Sequence, residues 1–403
     1  MTIILPSSIS DLRPVQRIAS TYLKKLNGLI EQASVPHDGL LSGNLGVVWY
    51  YAHLWLATHE QTYFDQTQTR LEQVFDHMNT EPQLTGASLG SGGAGFGYVL
   101  AYLRQRNIID LDLDEELQEL DAYLHQTALE WIASDFIDYL HGATGVLHYF
   151  TERLGNPAIY SYAKEIVEQL LAKAIVDQRG LRLRSFLMDP QECAQTNFSL
   201  SHGQAGFLSV LLRAYQRGLR LDIIPPAIRQ GADYFMNNRA PISAETNQHS
   251  FFPFTLDEAS RTPTFGNRLA WCYGDLNAIL FLYQAADLLK DAQLRKRVDL
   301  MGAYTLLRTN QETTLVKDAH FCHGAAGVAQ MYRTLHRLTG LDIYQTGYRQ
   351  WMDTTLSYID EDLQKATFDD KAASLLEGWV GVALTLLSYV SEEELHWSRA
   401  FLL

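Results

Sequence analysis

Residues 202–217 read HGQAGFLSVLLRAYQR: a glycine pair spaced Gly-x-x-Gly opens a run that is apolar on nearly every side. After Gly206 come Phe207, Leu208, Val210, Leu211, Leu212 and Tyr215. A helix apolar all round is a helix buried all round. The same pattern stands at Gly43/Gly46, Gly92/Gly95, Gly142/Gly145, Gly324/Gly327 and Gly378/Gly381. A seventh unit opens at Gly274, with Asn277 in place of the second glycine. The first glycines lie 49, 50, 61, 71, 50 and 54 residues apart, the length of one helical hairpin per repeat with insertions mid-chain.

The segments between the pairs supply a second kind of helix. Over 158–175, Ile159, Ala163, Ile166, Val167, Leu170, Leu171 and Ala174 fall on one face at helical spacing. Asn156 and Pro157 provide an N-cap and a first-turn proline for it. Seven repeats of one inner and one outer helix predict about fourteen helices and little or no strand. The expectation is an all-α protein, an α/α toroid of seven helical-hairpin repeats in a single domain over 1–403. A closed ring buries every inner helix between neighbours; an open α-solenoid is the alternative that periodicity alone leaves. One stretch, 236–266, breaks the rhythm with Pro241, the run Phe251-Phe252-Pro253-Phe254, and Pro263. Prolines so placed exclude a continuous helix, and the aromatics predict an ordered flap inserted in the domain.

Composition bounds the function. With 32 Lys+Arg against 46 Asp+Glu the net charge is −14, which argues against a nucleic-acid binder. Hydrophobic residues at 47% and charged residues at 19% describe a globular chain. Three cysteines make no disulfide framework and are candidates for metal or catalytic work. The opening MTIILPSSISDLRPVQ has no signal-peptide pattern, and the most apolar run, GWVGVALTLLSYV, is too short to cross a bilayer. A cytoplasmic protein without an integral membrane segment is expected, peripheral to a membrane only through partners.

In a ring of repeats, equivalent positions crowd around one end of the barrel. The residue before each first glycine is, in turn, Ser42, Ser91, His141, His202, Tyr273, His323 and Glu377. One position earlier stand Leu41, Gly90, Leu140, Ser201, Cys272, Cys322 and Leu376. Two cysteines thus share a slot in adjacent repeats, and a histidine follows the second. Cys272, Cys322 and His323 make a three-ligand soft site suited to one tetrahedral Zn2+ with a fourth position open, the arrangement of a catalytic rather than a structural zinc. Taken singly, a free cysteine is more often a small buried hydrophobe. Cys193, in DPQECAQT, lies outside the slots and is read as without function.

The strings SHGQAG, WCYGD and CHGAAG, in this order and spacing, resemble the signature of the lanthionine synthetase C-like (LanC) cyclases, and the resemblance covers essentially the whole chain. It implies a zinc enzyme of α/α-toroid fold that adds peptide cysteine thiols to dehydroalanine or dehydrobutyrine, forming thioether rings. By the same resemblance, Cys272, Cys322 and His323 match the zinc ligands and His202 the acid/base histidine. Asp138 (in DYLHG), Arg268 and Tyr273 match its aspartate, arginine and tyrosine. The chain departs at Asn277, where glycine is usual, and at Ser201, where alanine is usual; both bear on how the inner helices begin and neither is a ligand.

Addition to a dehydroamino acid creates an enolate, so the site needs a proton donor for the α-carbon and a donor for the oxyanion. His202 suits the first task, with Asp138 to orient it and Arg268 to pair with Asp138; Tyr273 is a second donor, and His141 is read as lining the pocket. The expected partners are a dehydrated precursor peptide, a dehydratase and an exporter. Competing readings are a LanC-like enzyme that adds glutathione to dehydroamino acids, a non-catalytic peptide-binding scaffold, and a glycosidase barrel. The last would want paired carboxylates, for which only Asp138 and Glu377 lie near the slots.

Overall fold

A computed structural model of the chain describes residues 14–391 and 393–403. The opening in which no signal-peptide pattern was read lies, over 1–13, outside the described residues. The helices alternate outer and inner along the chain. The pairs are α1 (Pro14–Gln32) with α2 (Asn44–Thr58), and α3 (Gln61–Thr80) with α4 (Gly93–Gln105). After the single turn α5 (Leu113–Glu116) follow α6 (Gln118–Ala133) with α7 (Ala143–Phe150), and α8 (Pro157–Ala172) with α9 (Gln204–Arg217). Then come α10 (Ile224–Asn237) with α11 (Asp275–Leu289), and α12 (Ala292–Thr305), the turn α13 (Gln311–Thr314) and α14 (Ala325–Thr339). The ring ends on α15 (Asp342–Gln364) with α16 (Trp379–Val390).

Each inner helix packs on the next: α2 on α4, α4 on α7, α7 on α9, α9 on α11, α11 on α14 and α14 on α16. The circle closes where α16 meets α2, and α1 lies against α16. The toroid is therefore the observed architecture and the open solenoid is not. All residues of α2 from Asn44 to Leu54 are buried, whereas α8 buries only Ile159, Ala163, Ile166, Val167 and Leu170. α8 begins as expected, with Asn156 Oδ1 accepting from Ala158 N at 2.8 Å. It stops at Ala172, short of Ala174, and Lys173 Nζ turns away to the carbonyls of Ile132 and Ala133, both at 2.8 Å.

The second glycine of each pair answers a steric demand. A Cβ on Gly206 would overlap the carbonyl oxygen of Leu200, six residues earlier. Gly46, Gly95, Gly145, Gly327 and Gly381 back in the same way onto Leu40, Leu89, Tyr139, Phe321 and Leu375. Asn277 solves the problem differently. Its Nδ2 donates to the equivalent carbonyl, Trp271 O, at 2.8 Å and to Ala270 O at 3.1 Å, and its Oδ1 accepts from Leu200 N at 3.0 Å. The backbone makes room at Gly274, whose φ is +117°, against −100° at Gly324 and −144° at Gly203. α11 forms normally, so Asn277 replaces a close approach with three hydrogen bonds.

The residues ahead of the inner helices are stitched into a ring by backbone bonds. Leu41 N donates to Gly90 O at 3.0 Å and Gly90 N to Leu140 O at 2.8 Å. On the far side Leu200 N donates to Cys272 O at 3.3 Å, Cys272 N to Cys322 O at 3.2 Å and Cys322 N to Leu376 O at 2.8 Å. Leu375 N returns to Leu41 O at 2.8 Å. Between the third and fourth repeats the link is made by side chains, because Leu140 N turns to Asp138 Oδ1 at 2.9 Å.

Strand content is small but real. β1 (Ile175–Asp177) and β2 (Gly180–Arg182) form an antiparallel hairpin. β3 (Gln195–Asn197), β4 (Thr255–Asp257) and β5 (Pro263–Thr264) form an antiparallel sheet in the order β3-β4-β5. The expected flap is thus ordered: it starts after α10, and Ala240 N bonds Phe251 O at 2.8 Å. A second insertion, 175–200, pairs with it through β3.

Candidate active site

Cys272, Cys322 and His323 offer ligand atoms that all lie within 4.8 Å of one another. They sit just ahead of the first turns of α11 and α14. The hydrogen bond shared with Cys322 holds the Cys272 thiol well below its ordinary range, with His323 and Arg268 acting in the same sense. That same bond, and then burial, pushes Cys322 upward. Two sulfurs sharing one proton are a pair that a divalent cation would relieve by letting both ionise, so this donor set fits zinc. Cys193 lies apart, in a 3₁₀ turn over Pro190–Ala194.

Behind His323 stands a residue that the slot pattern missed. His320, almost fully buried, places Nε2 at 3.1 Å from His323 Nε2. Its Nδ1 is 3.3 Å from Asp318 Oδ1, a buried oxygen with no hydrogen-bond partner. His320 Nδ1 also accepts from His323 N at 3.4 Å, so His320 holds the His323 ring from two sides. Partners of this kind orient a metal-binding imidazole, and losing one costs about 10–100-fold in affinity. His320→Phe is accordingly expected to weaken zinc binding by about that factor, with His320→Gln retaining most of it. Competition against a chromophoric chelator measures this, and equal affinities for all three proteins would remove His320 from the site.

On the neighbouring side, His202 Nδ1 lies 2.7 Å from Asp138 Oδ2. Asp138 is fully buried, and its Oδ1 accepts from Leu140 N at 2.9 Å and His141 N at 2.8 Å. Burial alone would lower the His202 pKa, but the Asp138 hydrogen bond and charge outweigh it and the net shift is upward. His141 stacks on His202 with ring centres 5.9 Å apart and planes 9° apart, and its own pKa is lowered by burial. Tyr273 Oη accepts from Asn197 Nδ2 at 2.9 Å, and burial raises its pKa.

Arg268 does not make the expected pair with Asp138: no ion pair joins them among the described residues, because His202 and two backbone N–H groups already occupy the carboxylate. Its charge instead acts on Cys272 and Cys322. The carboxylates a glycosidase would need are likewise engaged, Asp138 as above and Glu377 with Lys371 Nζ at 3.2 Å.

The flap is anchored by a buried ion pair next to the first cysteine. Asp275, the last residue of WCYGD, accepts from Phe251 N at 3.0 Å and Phe252 N at 3.1 Å. Arg308 Nη1 reaches the same carboxylate at 2.9 Å, and Arg308 Nη2 holds Asn267 O at 2.8 Å. The pair therefore fixes the flap, the start of α11 and the segment leading into Arg268 at once. A cavity of about 300 Å³ at this end of the barrel contains Cys322, His141, His202 and Glu377. Another cavity, about 510 Å³, is formed at the other end of the inner helices, and its Arg153 is already committed to Asp114 and Asp121.

Comparison with known proteins gives the family and agrees with the fold. The profile of the family described as lanthionine synthetase C-like protein matches residues 34–402. Among solved structures, nisin cyclase superposes with a TM-score of 0.76 at 18% identity, covering 96% of this chain and 97% of that one. A sugar epimerase from a ruminal bacterium (TM-score 0.37, 10% identity, 76% and 73% coverage) is much less alike. So is an unsaturated glucuronyl hydrolase specific for heparin (0.44, 12%, 89% and 99%). No curated protein sequence matches the chain. No helix among the described residues is long and apolar enough to cross a membrane.

Proposed function

The chain belongs to the lanthionine synthetase C-like family, and from that premise we propose that it is a zinc-dependent lanthipeptide cyclase. It adds a peptide cysteine thiol to a dehydroalanine or dehydrobutyrine of the same peptide, closing a (methyl)lanthionine ring. One observation carries the reading: Cys322 of the Cys272, Cys322, His323 group and His202 of the His202–Asp138 pair line the same cavity. Cys272, Cys322 and His323 would hold the zinc ion, which when bound would supply the positive charge that ionises a substrate thiol near neutral pH.

The chain's own residues supply the rest. Arg268 adds positive charge beside the sulfurs. Asp138 takes the Nδ1–H of His202 and favours the imidazolium, in which Nε2–H is the proton left to give. His202 delivers that proton to the α-carbon once the sulfur has added to the β-carbon. Tyr273 donates to the developing oxyanion. The substrate requires an upstream enzyme that removes water from serine and threonine, so a dehydratase, and then an exporter, are the partners this chemistry calls for.

A dehydrated peptide with its own cysteine tests the reading. Cyclisation leaves the mass unchanged and removes one iodoacetamide-reactive thiol per ring, and this is the expected result. A peptide that keeps its thiols but gains the mass of glutathione, when that thiol is supplied, would make the protein an external-thiol transferase. A peptide altered in neither way would leave a scaffold.

A further inference from the structure

Two cavities meet at the His202 imidazole. One is the 300 Å³ space that contains Cys322 and Glu377. The other, about 230 Å³, lies on the Tyr273 side and is walled by Phe186, Leu187, Asn197 and Thr255. Neither cysteine of the metal group reaches it. It is built by the two insertions, not by the repeats: Phe186 and Leu187 come from 175–200, Thr255 from the flap.

Its walls are held in place. The Phe186 ring packs on Phe136 at 5.2 Å and Phe254 backs Tyr273 at 5.4 Å. Leu187 N donates to Glu192 Oε2 at 2.7 Å, which pins the loop. Asn197 Oδ1 is occupied by Ser199 N at 2.9 Å, so the group facing Tyr273 is the Nδ2 donor, at 2.9 Å. The Ser199 side chain also hydrogen-bonds this oxygen and, like Asn197, favours its anion; with both acting as donors, the tyrosine accepts on its protein side and turns its own proton to whatever fills the cavity.

We propose that this second cavity seats the dehydroamino acid, an α,β-unsaturated amide, with its carbonyl oxygen on the Tyr273 hydroxyl and its α-carbon beside His202 Nε2, while the cysteine arrives through the first. The inference rests on the cyclase reading above. The sulfur lone pair forms the S–Cβ bond and the C=C π pair moves to give an enolate, whose oxygen takes the Tyr273 hydrogen bond. The His202 Nε2 proton then goes to Cα and the carbonyl re-forms. His202 regains a proton equivalent to the one the thiol lost on ionising, so S–H has added across C=C and no oxidant or reductant is consumed. The stretch of peptide between the two residues stays outside, which lets one site close rings of different size.

The Phe186–Leu187 wall then meets the β-substituent, a hydrogen in dehydroalanine and a methyl in dehydrobutyrine. Two synthetic peptides, each with one cysteine and one of these acceptors, are compared in competition, with zinc content measured alongside. Leu187→Trp is expected to shift the ratio of kcat/KM about tenfold against dehydrobutyrine at unchanged zinc content. Leu187→Ala is expected to shift it the other way, which keeps the test open if the Trp variant does not fold. Ser42→Leu, in the first cavity, is expected to slow both peptides by the same factor. Ratios unmoved by either Leu187 variant, or moved by Ser42→Leu, would overturn the assignment. Failure of the wild-type protein to close either peptide would instead overturn the cyclase reading.

Discussion

Cys322→Ala is expected to arrive from purification almost free of zinc and unable to close rings, while wild type carries one ion per chain. The argument is one of coordination. Two of the three protein ligands remain, and no other sulfur, imidazole or carboxylate among the described residues belongs to the group. The loss in affinity should therefore exceed the ~10–100-fold expected for an outer partner such as His320. The fold should survive, because the ring at this point is closed by backbone: Cys322 N to Leu376 O and Cys272 N to Cys322 O do not involve the deleted sulfur. Truncating one small, partly buried side chain costs on the order of 1 kcal/mol, which circular dichroism melting separates from metal loss. Elemental analysis decides the matter; a Cys322→Ala protein with a full complement of zinc would mean that the ion is held elsewhere or not by this set.

The repeat and its chemistry were unequally legible in the sequence. Gly-x-x-Gly is a direct imprint of a steric contact, the second glycine against the carbonyl six residues earlier, so every repetition of that contact writes the same letters. Once the repeats are aligned, cysteines in one slot of adjacent units must be neighbours, and Cys272 and Cys322 are. Closure of the ring had no such imprint; it depends on α16 meeting α2, whose residues pack by shape rather than by motif. His320 lies one turn of chain outside the slots and earns its place only through the direction of an imidazole ring, which spacing does not encode. Asp275 was in plain view inside WCYGD, but its partners Phe251, Phe252 and Arg308 come from distant segments. The Arg268–Asp138 pair failed for a related reason, since charge complementarity on paper ignores the backbone donors that had already taken the carboxylate. The β3–β4 pairing joined two insertions of which only the second, marked by prolines and aromatics, had announced itself.

The second large effect concerns the proton. His202→Ala should retain zinc and lose about 10²–10⁴ in kcat, the worth of a positioned general acid. Asp138→Asn is the more discriminating change. In wild type the carboxylate holds the His202 pKa above its ordinary 6.5 despite burial, so the acid form persists into the neutral range and kcat declines only as pH rises through the raised value. Without that charge the largest remaining influence is burial, which depresses an imidazolium, opposed by the lesser charges of Cys272 and Glu192. The alkaline limb should then move to lower pH, with the variant nearest wild type in mildly acidic buffer and losing about tenfold for each pH unit above its new midpoint. The same pair stabilises the fold in the same direction: a raised histidine pKa contributes fully below the unfolded value and fades as pH rises through the folded one. The Tm gap between wild type and Asp138→Asn should accordingly be widest on the acidic side. An Asp138→Asn profile that is uniformly lower but unshifted would mean that the aspartate orients His202 without tuning it, and a His202→Ala enzyme as fast as wild type would place the proton donor elsewhere on the ring.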